Sequence, residues 1–527
     1  MSKVFDVVKT PLSGRHLIEA SAGTGKTYSL IHIVLRLIIE EKIAIDRLLL
    51  VTFTKAATAE LKQRVRNLLI QAHEAFLESK EEDERYDKTL LKLIAKWRLM
   101  GIKEEVFKEA IDRMDDASIC TIHSFCQKML DEHRFSSSEG FDFEFGEDTD
   151  FKNEVIEQFL RKELTEASDD RLKAVLLSSS PWRDILDAIT AAPKDSTIEF
   201  FEQQVFIDPR TSQAQNNLTD DQVAIEKAVR KILERFIATV PEELRSKKRE
   251  AGIRSFDDLL MDMYAQLNNT LFIKGVQQRY DGVLIDDFKD TDPIQYAIFK
   301  RLFLSGDSTA RSVFFVGDPK QSIYRFRNAD LNTYLAAKAD IAEVYELDVN
   351  YRSSPKLLEA FNRFYCTSQK PFLDSGIDYR AIKAGATKSA LLVRTPEGEK
   401  ELPVFEVWQK NEKTTLNPAS SRDQQSALIA NEIEALLSGS VYKAADKKLL
   451  PSDIAILVHH KKDAHCLIEY LTKKGIRVLF QDDNNIFQTE EAREMLLVLK
   501  AIESPEDVRT LKLARSTRLM GESINNI

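Results

Sequence analysis

An α/β fold is predicted by three features of the sequence. Short runs rich in Leu, Ile, Val and Phe are each followed by a polar turn and usually by a helix-period pattern, the signature of a doubly wound parallel sheet. One of the first such runs leads directly into a glycine-rich loop, ASAGTGKT (Ala20 to Thr27), that opens a helix. The runs fall into two groups, residues 1–135 and 253–355, separated by a polar, charge-rich stretch with helical periodicity and little strand character.

In chain order the predicted strands are His16–Ala20, Leu48–Thr54, Ser118–His123, Val283–Asp286, Val313–Gly317 and Tyr345–Leu347. Their unbroken apolar character marks strands covered on both faces. The helix after the loop is expected over Tyr28–Glu40. Residues 136–252 read as a helical insertion within one α/β domain, entered through PWRDILDAI (Pro181 to Ile189) and holding a helical run over Asp220–Val240. The charged run ESKEEDERYDK (Glu78 to Lys88) reads as a solvated helix face or loop. A second α/β unit is expected over 356–527, with strands at Leu402–Trp408, Asp453–His459 and Arg477–Gln481 and a helix at Asp463–Lys474. Thr387–Ser421 is the expected flexible connection.

A chain of 527 residues exceeds a single core and suits roughly three or four domains. Its 30% charged and 43% hydrophobic residues are ordinary for a water-soluble globular protein. No apolar run approaches the ~20 residues that span a bilayer. The opening MSKVFDVVKTPLSG lacks the apolar centre of a secretory signal. Cys120, Cys126, Cys366 and Cys466 show neither metal-site nor disulfide spacing, so a reducing cytoplasm is the expected compartment. The net charge of −10 does not exclude a nucleic-acid partner, because a protein that steps along DNA needs only a local basic track.

ASAGTGKT fits a phosphate-binding loop in which Ala20 stands where the stricter pattern has glycine. Gly23 and Gly25 let the loop, which also holds Ser21, Ala22 and Thr24, curl so that successive N–H groups converge on phosphate oxygens, and the helix start adds its dipole. Lys26 is expected on the β- and γ-phosphates, and the Thr27 hydroxyl on Mg²⁺. YDGVLIDD ends a buried strand in Asp286 and Asp287: the first is expected to support Mg²⁺, the second to orient and deprotonate the attacking water. Gln321 is a candidate γ-phosphate sensor. Arg352, in NYRS, is a candidate cation for charge developing on the transferred phosphoryl group. ATP and Mg²⁺ are thus the expected ligands.

Three strand ends combine hydroxyls, aromatics and cations. VTFTKAATAELKQR carries Thr52, Phe53 and Thr54; TIHSF carries His123 and Phe125; QSIYRFR carries Tyr324 and Phe326 beside Arg325 and Arg327. Stacking bases on aromatics while holding phosphates with hydroxyls and cations grips a single strand without reading sequence, and each stack is worth ~1–3 kcal/mol. The competing reading of Phe53, Phe125 and Phe326 is core packing. His123 has no partner at metal-ligand spacing.

Together these strings resemble the UvrD-like branch of superfamily 1 helicases, and within it the RecB type of exodeoxyribonuclease V. The marks are LIEASAGTGKT without an upstream glutamine motif, VTFTKAATAELKQR, TIHSFCQKML, SFDDLL, DTDPIQY, GDPKQSIYRFRNAD and LDVNYRSS; DIAILVHH and IFQTEEAREML resemble the second motor domain. The resemblance implies a RecA-like P-loop motor domain with a helical insertion, followed by a partial second RecA-like domain. It implies an ATP-dependent 3′-to-5′ DNA helicase acting in double-strand-break repair and recombination, with DNA and RecC-like and RecD-like subunits as partners. Lys26, Thr27, Asp286, Asp287, Gln321 and Arg352 take the nucleotide roles given above, and Phe53, His123, Tyr324 and Phe326 lie along DNA.

Departures from the family pattern are equally specific. Where the family reads DEFQD this chain reads DDFKD, so Asp287 is one methylene shorter than glutamate and Lys289 replaces a glutamine. A carboxylate misplaced by an ångström can cost about 100-fold in rate. Asn328 replaces a glycine, and the family's later helicase motifs and nuclease domain are not found in the sequence, which reads as the front portion of such a protein. Two readings stay open: a helicase subunit, or a catalytically degenerate remnant that binds ATP or a partner. A P-loop kinase or ATPase unrelated to DNA lacks the TFT, TIHSF and QSIYRFR set.

Overall fold

The computed structural model describes residues 3–78, 83–133, 144–146, 148–166, 220–323, 330–368, 371–372, 377–385, 391–409, 418–439, 441–443, 447–480 and 486–521, together with Trp182 and Leu186. These residues form two compact units, Met1–Lys388 and Ser389–Ile527.

The first unit is built on seven parallel strands: β1 (Lys3–Val4), β2 (Gly14–Ala20), β3 (Leu48–Thr52), β4 (Ser118–Thr121), β7 (Gly282–Ile285), β8 (Ser312–Gly317) and β9 (Glu343–Leu347), in the order β1-β9-β2-β8-β7-β3-β4. All six predicted strands are present, with ends moved by a few residues. Every residue of β3, β7 and β8 is buried, as expected of a sheet covered on both faces. Neighbouring residues alternate between two cores. Ile18, Leu50 and Phe314 join one, while Leu17, Leu49 and Phe315 join the other. The first core is closed by α1 (Lys26–Ile39), α2 (Lys55–Glu78), α3 (Lys88–Leu99) and α4 (Glu105–Asp112), through Ile33, Leu69, Trp97 and Phe107. The second is closed by α5 (Ile122–Glu132), α8 (Phe256–Ala265), α9 (Thr270–Arg279) and α10 (Pro293–Phe299), through Met129, Met263, Phe272 and Phe299.

Strand β4 stops at Thr121, not at His123, because the Thr121 hydroxyl accepts from the Ser124 N–H at 3.3 Å and caps α5. Strand β7 stops at Ile285, since Asp287 turns left-handed with φ 53°.

Within the expected insertion, α6 (Thr149–Glu166) packs on α7 (Asp220–Glu250) around Val155, Phe159, Phe236 and Val240. Trp182 and Leu186 join that core; the rest of PWRDILDAI lies outside the described residues. At its root, β5 (Glu144–Phe145) pairs in parallel with β6 (Ile253–Arg254). There the buried Lys248 ammonium donates to Asp148, to Ser255 and to Asp258 at 3.2, 3.2 and 2.8 Å. Ser255 and Asp258 form the capping box that starts α8.

The remainder of the first unit holds α11 (Leu331–Asp340), the parallel pair β10 (Val349–Asn350) and β11 (Lys383–Ala384), and α12 (Pro355–Cys366). The second unit contains an antiparallel sheet, β13-β12-β14-β15, of Gly398–Glu401, Leu392–Thr395, Val441–Lys443 and Lys447–Lys448. Its helix α13 (Pro418–Leu437) packs on α14 (Lys461–Lys473) through Ala430, Ile433, Leu467 and Leu471, followed by α15 (Glu490–Glu503) and α16 (Val508–Arg515). Helix α14 matches the predicted Asp463–Lys474. The expected strands do not form: the described residues of Leu402–Trp408, Asp453–His459 and Arg477–Gln481 make no ladder. Apolar pattern alone does not make a strand without a neighbour to take its backbone groups, and Leu457 and Leu479 stand 98% and 96% exposed. The expected flexible connection Thr387–Ser421 instead holds the β12–β13 hairpin and the start of α13.

Candidate nucleotide and strand-binding site

Because the strands are parallel, the segments after β2, β7, β8 and β9 leave from one edge of the sheet, where ligands of open α/β sheets bind. Ala20 ends β2 and Lys26 and Thr27 begin α1. Between them, Gly23 (φ 80°) and Gly25 (φ 86°) are left-handed. A Cβ on Gly23 would stand 2.7 Å from Arg352 Cβ and 2.8 Å from Asn350 Nδ2, so glycine is required twice over. Thr24 closes the loop, its hydroxyl donating to Ser21 O at 2.7 Å. No side-chain hydrogen bond caps the start of α1, and its first turn carries no acid. Its first N–H groups can therefore meet phosphate oxygens, and the loop fits a triphosphate.

The segment after β9 is stitched to this loop. Asn350, buried, donates from Nδ2 to Ala22 O at 2.7 Å, while its Oδ1 accepts from the N–H groups of Arg352 and Ser353 at 2.8 and 2.9 Å. Tyr351 N–H donates to Gly23 O at 2.8 Å. Arg352 is thereby held beside Gly23 with its side chain exposed. Sequence reasoning named Arg352 and missed Asn350.

Asp286 is tied to β3 by its N–H, which donates to Val51 O at 2.8 Å, and its Oδ1 accepts the Asp287 N–H at 2.9 Å. Burial pushes its carboxyl upward, against the pull of Lys26. Such a carboxylate suits a divalent cation. Among the described residues no group of three or more His, Cys, Asp or Glu side chains is placed to hold a metal, so Mg²⁺ here would rely on Thr27, Asp286 and phosphate oxygens. Asp287 is ion-paired with Lys26 through Oδ1, and the same oxygen lies 3.4 Å from Lys289 Nζ. Burial alone would raise its carboxyl; Lys26 and Lys289 overcome this and hold it below the usual range. Lys289 is itself buried and paired with the buried Asp290.

Gln321 follows β8, its N–H donating to Asp318 O at 2.9 Å and its Nε2 to Asp318 Oδ2 at 2.8 Å. Tyr28, just inside α1, donates its hydroxyl to Asp87, whose carboxylate also caps α3 by accepting from Thr89 N–H at 2.9 Å. Asp87 stays exposed, as expected of the run Glu78–Lys88, while making these bonds.

On the expected strand-binding face, Thr52 is buried, its hydroxyl shared with Thr58 at 2.6 Å. Thr54 is exposed and accepts from Ala57 N–H at 3.1 Å. Phe53 is half-buried. His123 is partly buried, and burial lowers its pKa; its ring meets Phe256 edge-on at 5.2 Å. Phe256, 56% exposed at the start of α8, is an aromatic that sequence reasoning passed over. Phe125 is core, wholly buried and facing Tyr280, Phe299 and Phe303. Tyr324 and Phe326, with Arg325, Arg327 and Asn328, lie outside the described residues. Among the described residues no helix is long and apolar enough to cross a membrane.

Comparison with known proteins places these observations in context. The model of the UvrD/REP helicase N-terminal domain matches residues 3–342, and that of the UvrD-like helicase C-terminal domain matches residues 345–526. The RecBCD enzyme subunit RecB of Escherichia coli (strain K12) is 27% identical over 643 residues, covering all of this chain and 53% of that protein. RecB of Mycobacterium tuberculosis (strain ATCC 25618 / H37Rv) is 28% identical, covering 97% of this chain and 44% of the relative. RecB of Mycolicibacterium smegmatis is 29% identical, covering 100% and 45%. The chain spans about half the length of the curated relatives it matches.

Proposed function

Because the chain belongs to the UvrD/REP helicase family, we propose that it is the 3′-to-5′ helicase and translocase part of a RecBCD-type enzyme, driven by ATP with Mg²⁺. On this reading residues 1–135 and 253–355 form the first motor domain, 136–252 its insertion and 356–527 a partial second motor domain. Its partners are DNA and RecC-like and RecD-like subunits in the cytoplasm, and its work is double-strand-break repair and recombination. The observation that carries the proposal is the meeting of Lys26 with the carboxylate after β7, beside a glycine loop stitched to NYRS.

In the reaction, the loop N–H groups and Lys26 hold the triphosphate tail. Thr27 and Asp286 would hold Mg²⁺, which when bound would neutralise phosphate charge. Asp287 takes the proton of the attacking water as its oxygen bonds to the γ-phosphorus. The bond from that phosphorus to the bridging oxygen breaks, and ADP leaves with the electron pair. Gln321 reports the γ-phosphate, and Arg352 offsets the charge gathering on the transferred group. Thr54, Phe53, His123 and the QSIYRFR aromatics Tyr324 and Phe326 follow the DNA strand; Thr52 shapes the turn that carries Phe53 and Thr54.

A second reading, a nucleotide- or partner-binding relative without turnover, is favoured by one observation: Asp287 is a short carboxylate engaged by two lysines. ATP hydrolysis with and without single-stranded DNA, measured for this chain, for Lys26→Ala and for Asp287→Glu, separates the two. DNA-stimulated turnover that Lys26→Ala abolishes supports the motor. Stimulation absent from both the unaltered chain and Asp287→Glu sinks it.

A further inference from the structure

Lys289 occupies an unusual place. A lysine is rarely buried unless paired, and this one is 8% exposed, in the turn directly after the acidic pair. Its ammonium lies between two carboxylates, Asp290 on one side and Asp287 Oδ1, at 3.4 Å, on the other. Asp290 engages it through Oδ2; Asp290 Oδ1 is buried with no hydrogen-bond partner among the described residues. The backbone around Lys289 is closely packed: its carbonyl accepts from the Ser322 hydroxyl at 3.3 Å, and its nitrogen lies 3.1 Å from where a Cβ on Gly317 would stand. Lys289 is therefore held in place by its surroundings.

Two ammonium groups thus converge on a single oxygen. Lys26, which the nucleotide reading assigns to phosphate, is paired with Asp287 Oδ1, and Lys289 competes for that oxygen. A triphosphate takes Lys26 only by displacing Asp287 from it. The stronger the hold of Asp287 on Lys26, the weaker the apparent affinity for nucleotide, because the competing pair must first be broken. A second cation on the same oxygen weakens that hold and receives the carboxylate when Lys26 departs.

We propose that Lys289 is a positioning residue of the nucleotide site, one that shares Asp287 with Lys26 and thereby sets how readily Lys26 is surrendered to a triphosphate. The inference rests on the nucleotide-site reading above and deepens it. Lys289 acts through Asp287 and does not touch phosphate. Its neighbour Asp290 tunes it: the more Asp290 draws the ammonium, the less is left for Asp287.

The test is equilibrium binding of a fluorescent, non-hydrolysable ATP analogue to the 527-residue chain, with Mg²⁺ and again in EDTA. Lys289→Gln should weaken binding by about tenfold, the scale of coupling between residues of one ion network. Lys289→Arg, which keeps the charge, should restore it. Asp287→Asn should tighten binding, and in that background Lys289→Gln should change affinity by less than about twofold. Equal weakening in both backgrounds would overturn the proposal in favour of direct phosphate contact, and no weakening in either would overturn it outright. Should Lys289→Gln lose its thermal transition, Asp290→Asn carries the test: it should tighten binding in the unaltered chain and leave the Asp287→Asn chain unchanged, and any other pattern refutes the proposal. No binding by the unaltered chain would bring down the nucleotide-site reading itself, and this role for Lys289 with it; binding that ignores Lys289 brings down only the latter.

Discussion

Replacing Asn350 probes the seam between the phosphate loop and NYRS. Its side chain makes three hydrogen bonds in a buried setting, to Ala22 O at 2.7 Å and from the N–H groups of Arg352 and Ser353 at 2.8 and 2.9 Å. Each such bond contributes about 1 kcal/mol net. Asn350→Ala should therefore cost about 3 kcal/mol and lower the melting temperature of the first unit by about 5 °C. It should also loosen the loop enough to weaken nucleotide binding about tenfold, an effect equivalent to about 1.4 kcal/mol. Asn350→Asp separates the two effects. Its carboxylate keeps both N–H donors but faces Ala22 O with no proton and adds negative charge beside the phosphates. The aspartate variant should melt above the alanine variant yet bind nucleotide more weakly. Differential scanning fluorimetry and titration with the fluorescent analogue measure both quantities. An alanine variant that melts and binds like the parent refutes the idea that this seam shapes the site.

Gly23→Ala should destabilise more than Gly25→Ala by about 1–2 kcal/mol in urea unfolding, because both force a left-handed alanine but only position 23 meets atoms nearer than 3 Å. Asp292, which caps α10, has its carboxyl pushed up to about 6 by burial. An unfolded aspartate titrates near 3.9, so the cost of its charge is absent below about pH 4 and complete above about pH 6. Asp292→Asn keeps the cap and should stabilise by about 1–3 kcal/mol at pH 7.5 with no gain at pH 3.5, as read by denaturant titration. Phe256→Ala should weaken single-stranded DNA binding by about 1 kcal/mol or more in fluorescence anisotropy while sparing nucleotide affinity; equal loss of both would remove Phe256 from the strand face.

The first sheet was legible in the sequence because strands covered on both faces declare themselves as unbroken apolar runs, and β3, β7 and β8 are buried at every position. The phosphate loop was legible because only glycine meets its left-handed positions without strain. Contacts between distant parts of the chain carry no local pattern. Asn350 reaches Ala22 and Tyr28 reaches Asp87, and neither shows in spacing or composition. Phe125 and Phe256 illustrate the same limit: each is an aromatic near a strand end or helix start, and tertiary packing hides one and presents the other. In the second unit, apolar strings such as ILV at 456–458 suggested strands, but pairing depends on neighbours that a string cannot reveal.

The chain sets out on its longest detour at β5 and comes home at β6, and these two short pieces lie side by side under the knot of Lys248, Asp148 and Asp258. An excursion whose ends are already fastened together places almost no demand on the body it leaves. Growing such a loop to twice its length costs only about 0.6 kcal/mol in closure entropy. Whatever is enlarged or trimmed beyond that fastening, the seven strands and the edge that holds Lys26 feel little of it, so size and shape out there are open to change while the engine below stays put.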